Sequence, residues 1–209
     1  IEVASRLVPL HSHGVIFVAL TQVQPTEQIH TAIVNSLGIH IGNTQTPREA
    51  LFTYLNQRNM LLILDNMEHL LDRTAEILEI LAQAPQVTIM TTSREVLNLQ
   101  EEWVWPLGGL LFPESDSISD LTSYGALQLF NERARRVQPT FSLRDDLDCA
   151  TQICRLVDGM PLALELAASW LKTLSCAEIA FEIKRGIDIL ATTIRNVEER
   201  HRSIRTVFE

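Results

Sequence analysis

The sequence predicts an α/β fold, with a parallel sheet in the first half of the chain and only helices in the second half. Strand-like apolar runs alternate with helical patterns up to residue 107, as is typical of a parallel α/β sheet. The run Met60–Leu64 is apolar throughout, which indicates a strand buried on both faces, and it leads directly into Asp65. After a stretch rich in Gly, Pro, Ser and Asp at 108–122, only helical spacing recurs.

Composition describes an ordinary folded chain of one large or two small domains. Of its 209 residues, 46% are hydrophobic and 21% are charged. The net charge of −9 argues against broad attraction to nucleic acid, although arginines cluster near the end, from Arg195 to Arg205. No apolar run is long enough to span a bilayer, so we expect no membrane segment and a cytoplasmic location. Three cysteines, Cys149, Cys154 and Cys176, fit no metal or redox spacing and predict core packing in a reducing compartment, without a disulfide framework.

The first half contains four predicted strands and the helices between them. The strands are Val15–Leu20, Met60–Asp65, Gln86–Arg94 and the short Trp103–Leu107. A helix ends near Pro9, and another runs from about Thr26 to Leu37 with Gly38 as its C-cap. Thr46-Pro47-Arg48-Glu49 has the pattern of a capping box and opens a helix that reaches about Arg58.

The second half contains four predicted helices. The first covers Ser123–Val137, and Ser142 with Asp145 caps a helix that reaches Leu156. Pro161 opens a deeply buried helix to Leu174, and Ser175 with Glu178 forms a second capping box.

The carboxyl ends of two neighbouring strands carry charged side chains. Asp65 is well placed to hold a hydrated Mg²⁺, because hard cations take oxygen ligands. The alternative for Asp65 is an N-cap of the next helix. Arg94 ends the next strand and can bind a phosphate, so together the two residues predict a nucleotide site at the edge where open α/β sheets bind ligands.

For other polar and aromatic groups, the sequence favours a structural role over a role in binding a ligand. Asp65, Glu68, His69 and Asp72 resemble a metal cluster, but helical spacing predicts that His69 and Asp72 face solvent or cap a helix. His11 and His13 are predicted to be loop residues. Trp103 and Trp105 alternate along the short strand, which favours packing over base stacking.

Several motifs in series resemble the NB-ARC-like (AP-ATPase) branch of the STAND signalling NTPases, as found in large bacterial transcriptional regulators. They are the segments 61–72, 91–94, 105–107, 126–134 and 158–168. The segment Glu199–Phe208 is similar to the start of the winged-helix domain that follows in that family. The resemblance implies a partial nucleotide-binding α/β domain at 1–107, a linker at 108–122, a helical lid domain at 123–186 and the start of a winged-helix region at 187–209.

The resemblance also implies roles for individual residues. Asp65 matches the Walker B aspartate that positions Mg²⁺ through water, and Glu68 is the carboxylate left to orient water because the second acidic position is Asn66. Arg94 matches the arginine that reads the terminal phosphate of ATP. In the Gly159-Met160-Pro161-Leu162 motif, Gly159 and Pro161 match the lid segment whose proline packs on the adenine of ATP or ADP.

The chain departs from that family in one respect. It contains no Gly-x4-Gly-Lys phosphate loop, and its two lysines, Lys172 and Lys184, lie in the helical half. The resemblance places the loop, and a strand beside the Asp65 strand, upstream of Ile1. We therefore interpret the chain as a fragment and expect slow ATPase activity in the intact protein, with weak or absent nucleotide binding by the 209 residues alone.

Three functions follow from these patterns. The first is an ADP/ATP switch that controls transcription or oligomerisation through output or sensor domains of the same polypeptide. Such a protein would contact DNA only through domains outside this chain, and self-association is a further expected interaction. The second is a non-catalytic interaction scaffold that keeps the fold without nucleotide. The third is a phosphoacceptor domain using Asp65 and Thr92, which lacks the acidic pair and the lysine that this chemistry needs.

Overall fold

The computed structural model describes residues 1–42, 45–114 and 123–186. The expected start of a winged-helix region at 187–209, its arginine cluster and most of the expected linker, 115–122, lie outside these ranges. The chain divides into two compact units, residues 1–104 and residues from 105 onward. Each unit is described separately below.

The first unit is built around a small parallel sheet. Its three described strands are Val15–Ala19 (β1), Met60–Asp65 (β2) and Val87–Thr91 (β3). They lie in the order β1-β2-β3, with both pairs parallel, so the carboxyl ends of all three strands meet at one edge. The mixed α/β class with a parallel sheet is confirmed.

β2 occupies the central position of the described sheet, with a parallel neighbour on each side. The strand expected beside it from the sequence upstream of Ile1 lies outside this chain and stays a prediction. The β2 residues Met60–Leu64 are all buried, as their continuous apolar sequence predicts.

The described part of the first unit contains four α-helices. They are Glu2–Leu7 (α1), Ile29–Leu37 (α2), Pro47–Leu55 (α3) and Thr74–Gln83 (α4). Gly38 ends α2 in the left-handed conformation, at φ 65°, and Thr46 with Glu49 forms the predicted capping box of α3. One core joins the buried faces of these helices to the sheet, although no residue of α1 is buried.

The predicted strand at Trp103–Leu107 is wrong. This segment forms neither strand nor helix, and it has no neighbouring strand to supply backbone hydrogen bonds within the described residues. The prediction that its tryptophans pack in a core is also wrong, since Trp103 is 97% exposed and Trp105 is 85% exposed.

The described part of the second unit is helical. Its helices are Gly125–Val137 (α5), Leu147–Leu156 (α6), Pro161–Ser169 (α7) and Cys176–Arg185 (α8). Pro161 opens α7 and Ser175 with Glu178 caps α8, as predicted. The predicted cap of α6 is wrong, because Ser142 accepts backbone hydrogen bonds in a preceding turn and α6 begins only at Leu147.

A disulfide joins α6 to α8 and corrects the expectation of unpaired cysteines. Cys149 and Cys176 are bonded, with their Cα atoms 6.0 Å apart, whereas Cys154 is free and buried. The pair was not recognisable from spacing, because its members are 27 residues apart and become neighbours only when α6 packs on α8.

Candidate functional site

The candidate site lies at the carboxyl edge of the sheet, where β2 ends at Asp65. Asn66 follows in the left-handed conformation at φ 75°, so the chain turns sharply before the 3₁₀ segment Met67–Arg73. Asn is among the few non-glycine residues that adopt this conformation readily. The turn separates Asp65 from Glu68 and brings both to the same edge of the sheet.

Thr92, the residue after β3, forms hydrogen bonds that join the ends of β2 and β3. Its hydroxyl donates a hydrogen bond to Oδ1 of Asp65 at 2.7 Å and accepts one from the backbone N–H of Asn66 at 3.0 Å. Its backbone carbonyl accepts a hydrogen bond from the N–H of Met67 at 2.9 Å. These contacts fix the Asp65 carboxylate and leave its second oxygen for another partner. The alternative that Asp65 caps the next helix is wrong, because Asn66 occupies the N-cap position.

Arg94 forms an ion pair with Glu68 at the same edge. The Nε of Arg94 lies 3.3 Å from the Glu68 carboxylate, and the side chains are 60% and 17% exposed, respectively. An exposed pair of this type contributes only about 0–1 kcal/mol, so a phosphate can compete with the carboxylate for the guanidinium. The structure therefore groups Asp65, Thr92, Glu68 and Arg94, which could hold a hydrated Mg²⁺ and a phosphate.

The neighbouring His69 differs from its prediction. It is partly buried, and its Nε2 lies 3.1 Å from the carbonyl oxygen of Val23, so the prediction that it faces solvent is wrong. Asp72 is exposed, as expected. His69 therefore ties the 3₁₀ segment to the loop after β1 and is not grouped with the carboxylates.

Gly159 and Pro161 lie in the second unit and have different surroundings. Gly159 is buried with φ 64°, and its carbonyl accepts a hydrogen bond from the N–H of Leu110 at 2.8 Å. A Cβ atom at Gly159 would overlap the carbonyl oxygen of Leu110. Pro161 is exposed at the first position of α7. Gly159 thus has a packing role within its own unit, while Pro161 presents its ring to solvent.

The structure contains a buried histidine that the sequence patterns did not predict. His30 of α2 is 1% exposed, with Nδ1 3.1 Å from Glu76 and Nε2 3.5 Å from Glu79. Burial lowers the pKa of His30, the two carboxylates oppose that shift, and Arg48, which pairs with Glu79, reinforces it. Glu76 also accepts the backbone N–H of Ile29 at 2.8 Å, at the start of α2.

Cys154 is the cysteine that stays outside the disulfide. Burial raises the pKa of its thiol to about 12, so it remains protonated at neutral pH. It packs in the helical core and takes no part in the candidate site.

Among the helices that the structure describes, none has the length and hydrophobicity of a membrane span.

Comparison with known proteins gives related sequences. No protein-family model matches the chain. The chain is 32% identical over 198 residues to a Mycobacterium bovis protein named "Putative HTH-type transcriptional regulator", and a Mycobacterium tuberculosis protein of the same description matches equally. Each alignment covers 94% of this chain and 21% of the relative.

A further relative is an uncharacterized Mycobacterium tuberculosis protein that is 36% identical over 162 residues. That alignment covers 77% of this chain and 39% of the relative. The chain thus spans about a fifth of the length of the named regulators it matches. Over nearly its whole length, it is similar to a segment of proteins described as transcriptional regulators.

Proposed function

We propose that this chain is the core of an ATP/ADP-dependent switch of the STAND type within a bacterial transcriptional regulator. The observation that carries the proposal is the grouping of Asp65, Thr92, Glu68 and Arg94 at the carboxyl edge of a parallel sheet. Ligands of open α/β sheets bind at this edge. The similarity to proteins described as transcriptional regulators supports the regulatory part of the proposal.

Each residue of the group has a part in binding Mg-nucleotide. Asp65, oriented by Thr92, holds a water of the Mg²⁺ shell through its second carboxylate oxygen. Arg94 exchanges its contact with Glu68 for one with the terminal phosphate of ATP, which ADP lacks. Glu68 is then released to orient a water molecule, so the ion pair links the identity of the nucleotide to the conformation of the edge.

The second unit would act as the lid over the nucleotide. The family resemblance assigns the adenine contact to Pro161, which is exposed at the start of α7, whereas Gly159 holds that segment in place within its own unit by close packing on Leu110. Shifting a two-state switch almost completely takes about 5.5 kcal/mol of differential binding. Several charge-assisted contacts to phosphate, such as the one proposed for Arg94, would supply this differential binding free energy together with a phosphate loop upstream of Ile1.

Calorimetric titration with Mg-ATP and Mg-ADP tests the proposal. The chain of 209 residues and the longer native polypeptide that includes the upstream sequence are titrated side by side. We expect binding by the longer polypeptide and weak or no binding by the 209 residues, because the latter contain no glycine-rich loop with a lysine. Failure of the longer polypeptide to bind either nucleotide would overturn the proposal.

A scaffold without nucleotide is the second candidate. It is favoured by a run of exposed apolar side chains where the first unit ends and the second begins: Trp103, Val104, Trp105 and Leu107. Large aromatic side chains are enriched where proteins contact partners. In the intact regulator, both candidates would place DNA contact in domains outside this chain and the protein in the cytoplasm.

A further inference from the structure

The second unit brings three potential metal ligands together at the start of α6 and α8. The Asp146 carboxylate and the sulfur atoms of Cys149 and Cys176 all lie within 4.8 Å of one another. Cys176 is buried, whereas Asp146 and Cys149 are partly buried, so the group borders solvent. Ions can therefore reach it without unfolding of the helical core.

The local structure favours negative charge at this group. Cys176 is the first residue of α8, and Cys149 lies in the first turn of α6, so both sulfur atoms lie near the positive ends of helices. Asp146 occupies the N-cap position of α6, yet its carboxylate makes no capping hydrogen bond. An N-cap aspartate usually accepts such a bond from the helix, which leaves this carboxylate for another partner.

We propose that the Cys149–Cys176 pair, once reduced, forms a zinc site with Asp146. Two thiolates and one carboxylate suit Zn²⁺, a cation of borderline softness that binds both S and O ligands, and water would fill the fourth position. Tetrahedral geometry with Zn–S bonds of about 2.3 Å places the sulfur atoms about 3.8 Å apart. The Cα separation of 6.0 Å accommodates that spacing by rotation of the two side chains.

Reduction of the disulfide and binding of the metal are separate steps. A dithiol reductant supplies two electrons and two protons, breaks the S–S bond, leaves two thiols and becomes a disulfide itself. When Zn²⁺ binds, the two thiols release their protons to solvent. The helices α6 and α8 are therefore cross-linked in both redox states, by the disulfide when oxidised and by the metal when reduced.

Titration of the reduced and the oxidised chain with Co²⁺, followed by Zn²⁺, tests this site. We expect the reduced chain to bind one Co²⁺ with sulfur-to-cobalt charge-transfer absorption, which Zn²⁺ abolishes, and the oxidised chain to show no such absorption. Asp146→Asn should weaken the apparent affinity at least on the order of ten-fold. Asp148→Asn, at an exposed carboxylate two residues away, should leave the affinity unchanged.

Alkylation gives an independent readout on the reduced wild-type chain, so it does not depend on the folding of cysteine variants. Zn²⁺ should slow iodoacetamide modification of Cys149 and Cys176 and leave that of buried Cys154 unaltered. The proposal fails if the reduced chain shows no charge-transfer absorption, if Zn²⁺ gives no protection, or if Asp146→Asn binds as tightly as Asp148→Asn.

Discussion

Thr92 donates a hydrogen bond of 2.7 Å from its hydroxyl to the carboxylate of Asp65, across the ends of two neighbouring strands. The same hydroxyl accepts the N–H of Asn66, the residue that turns the chain out of the sheet. The carboxylate is thus oriented by the fold before any ligand is present. In the proposed site, this preorganisation lowers the cost of ordering Asp65 when Mg-nucleotide binds.

Replacement of Thr92 by valine tests the structural part of this contact. Thr92→Val keeps the β-branched shape but removes the hydroxyl, so Asp65 loses a donor and Asn66 loses an acceptor. We expect the free energy of unfolding in urea to fall by about 1 kcal/mol. Thr88→Val, at an exposed position of β3, is the matched control and should change the stability little. Equal effects of the two substitutions would contradict the assignment.

The buried His30 predicts a dependence of stability on pH. Burial lowers its pKa below 6.5, so between that lowered value and 6.5 the unfolded chain binds the proton more readily than the folded chain. The stabilising contribution is complete above pH 6.5 and is lost as the pH falls through the folded-state pKa. The slope for one such group is at most about 1.4 kcal/mol per pH unit.

Urea denaturation between pH 7.5 and 5, values chosen about the ordinary pKa of histidine, measures this effect. In His30→Gln, the pH dependence should flatten, while His40→Gln, at an exposed position, should behave like the wild type. Glu76, Glu79 and Arg48 face the ring and remain in both variants. A wild-type stability that rises as the pH falls through this range would refute the predicted sign.

The close contact at Gly159 predicts an intolerant position in the helical unit. Gly159→Ala places a side chain in the left-handed conformation and against the Leu110 backbone, so the strain alone costs about 1–3 kcal/mol. We expect a lower thermal midpoint by circular dichroism. Gly186→Ala is the control, because its φ of 174° is ordinary extended backbone with open space around it. A Gly159→Ala protein as stable as this control would contradict the packing account.

The disulfide predicts a redox-dependent stability. It closes a loop with a sequence separation of 27, and the chain-entropy model gives roughly 3–4 kcal/mol for a loop of this size. Reduction with metal removed by a chelator should therefore lower the denaturant midpoint. Cys154→Ala should retain this redox response, whereas the double variant Cys149→Ser with Cys176→Ser should lack it. An identical midpoint before and after reduction would argue against the cross-link.

Local signals in the sequence were enough to predict much of the architecture. The continuous apolar run before Asp65 predicted a fully buried strand, and both capping boxes formed with the residues expected, Thr46 with Glu49 and Ser175 with Glu178. These features depend on residues within a few positions of one another, so a single sequence contains the information needed.

Features that depend on distant contacts were missed. His30 lies 46 and 49 residues from its carboxylate partners, and Cys149 lies 27 residues from Cys176. Neither set of contacts can be recognised from residue spacing in the sequence. The prediction of a strand at Trp103–Leu107 was wrong for a related reason. Alternating side chains and aromatic content favour a strand, but they do not provide the neighbouring strand that its backbone hydrogen bonds require. At the candidate site, the strand ends predicted that Asp65 and Arg94 belong to one edge of the sheet. They did not predict the hydrogen bond between Thr92 and Asp65 or the ion pair between Glu68 and Arg94.

The most direct test of the proposed switch is calorimetric titration of Mg-ATP into variants of the longer native polypeptide. We expect Asp65→Ala and Arg94→Ala to weaken binding by at least about ten-fold, because each removes a charge-assisted contact worth roughly 1.5–3 kcal/mol. The exposed residues Asp72 and Arg6 provide the matched controls, Asp72→Ala and Arg6→Ala, which should bind like the wild type. If the Asp65 and Arg94 variants bind Mg-ATP as tightly as these controls, this edge of the sheet is not the nucleotide site.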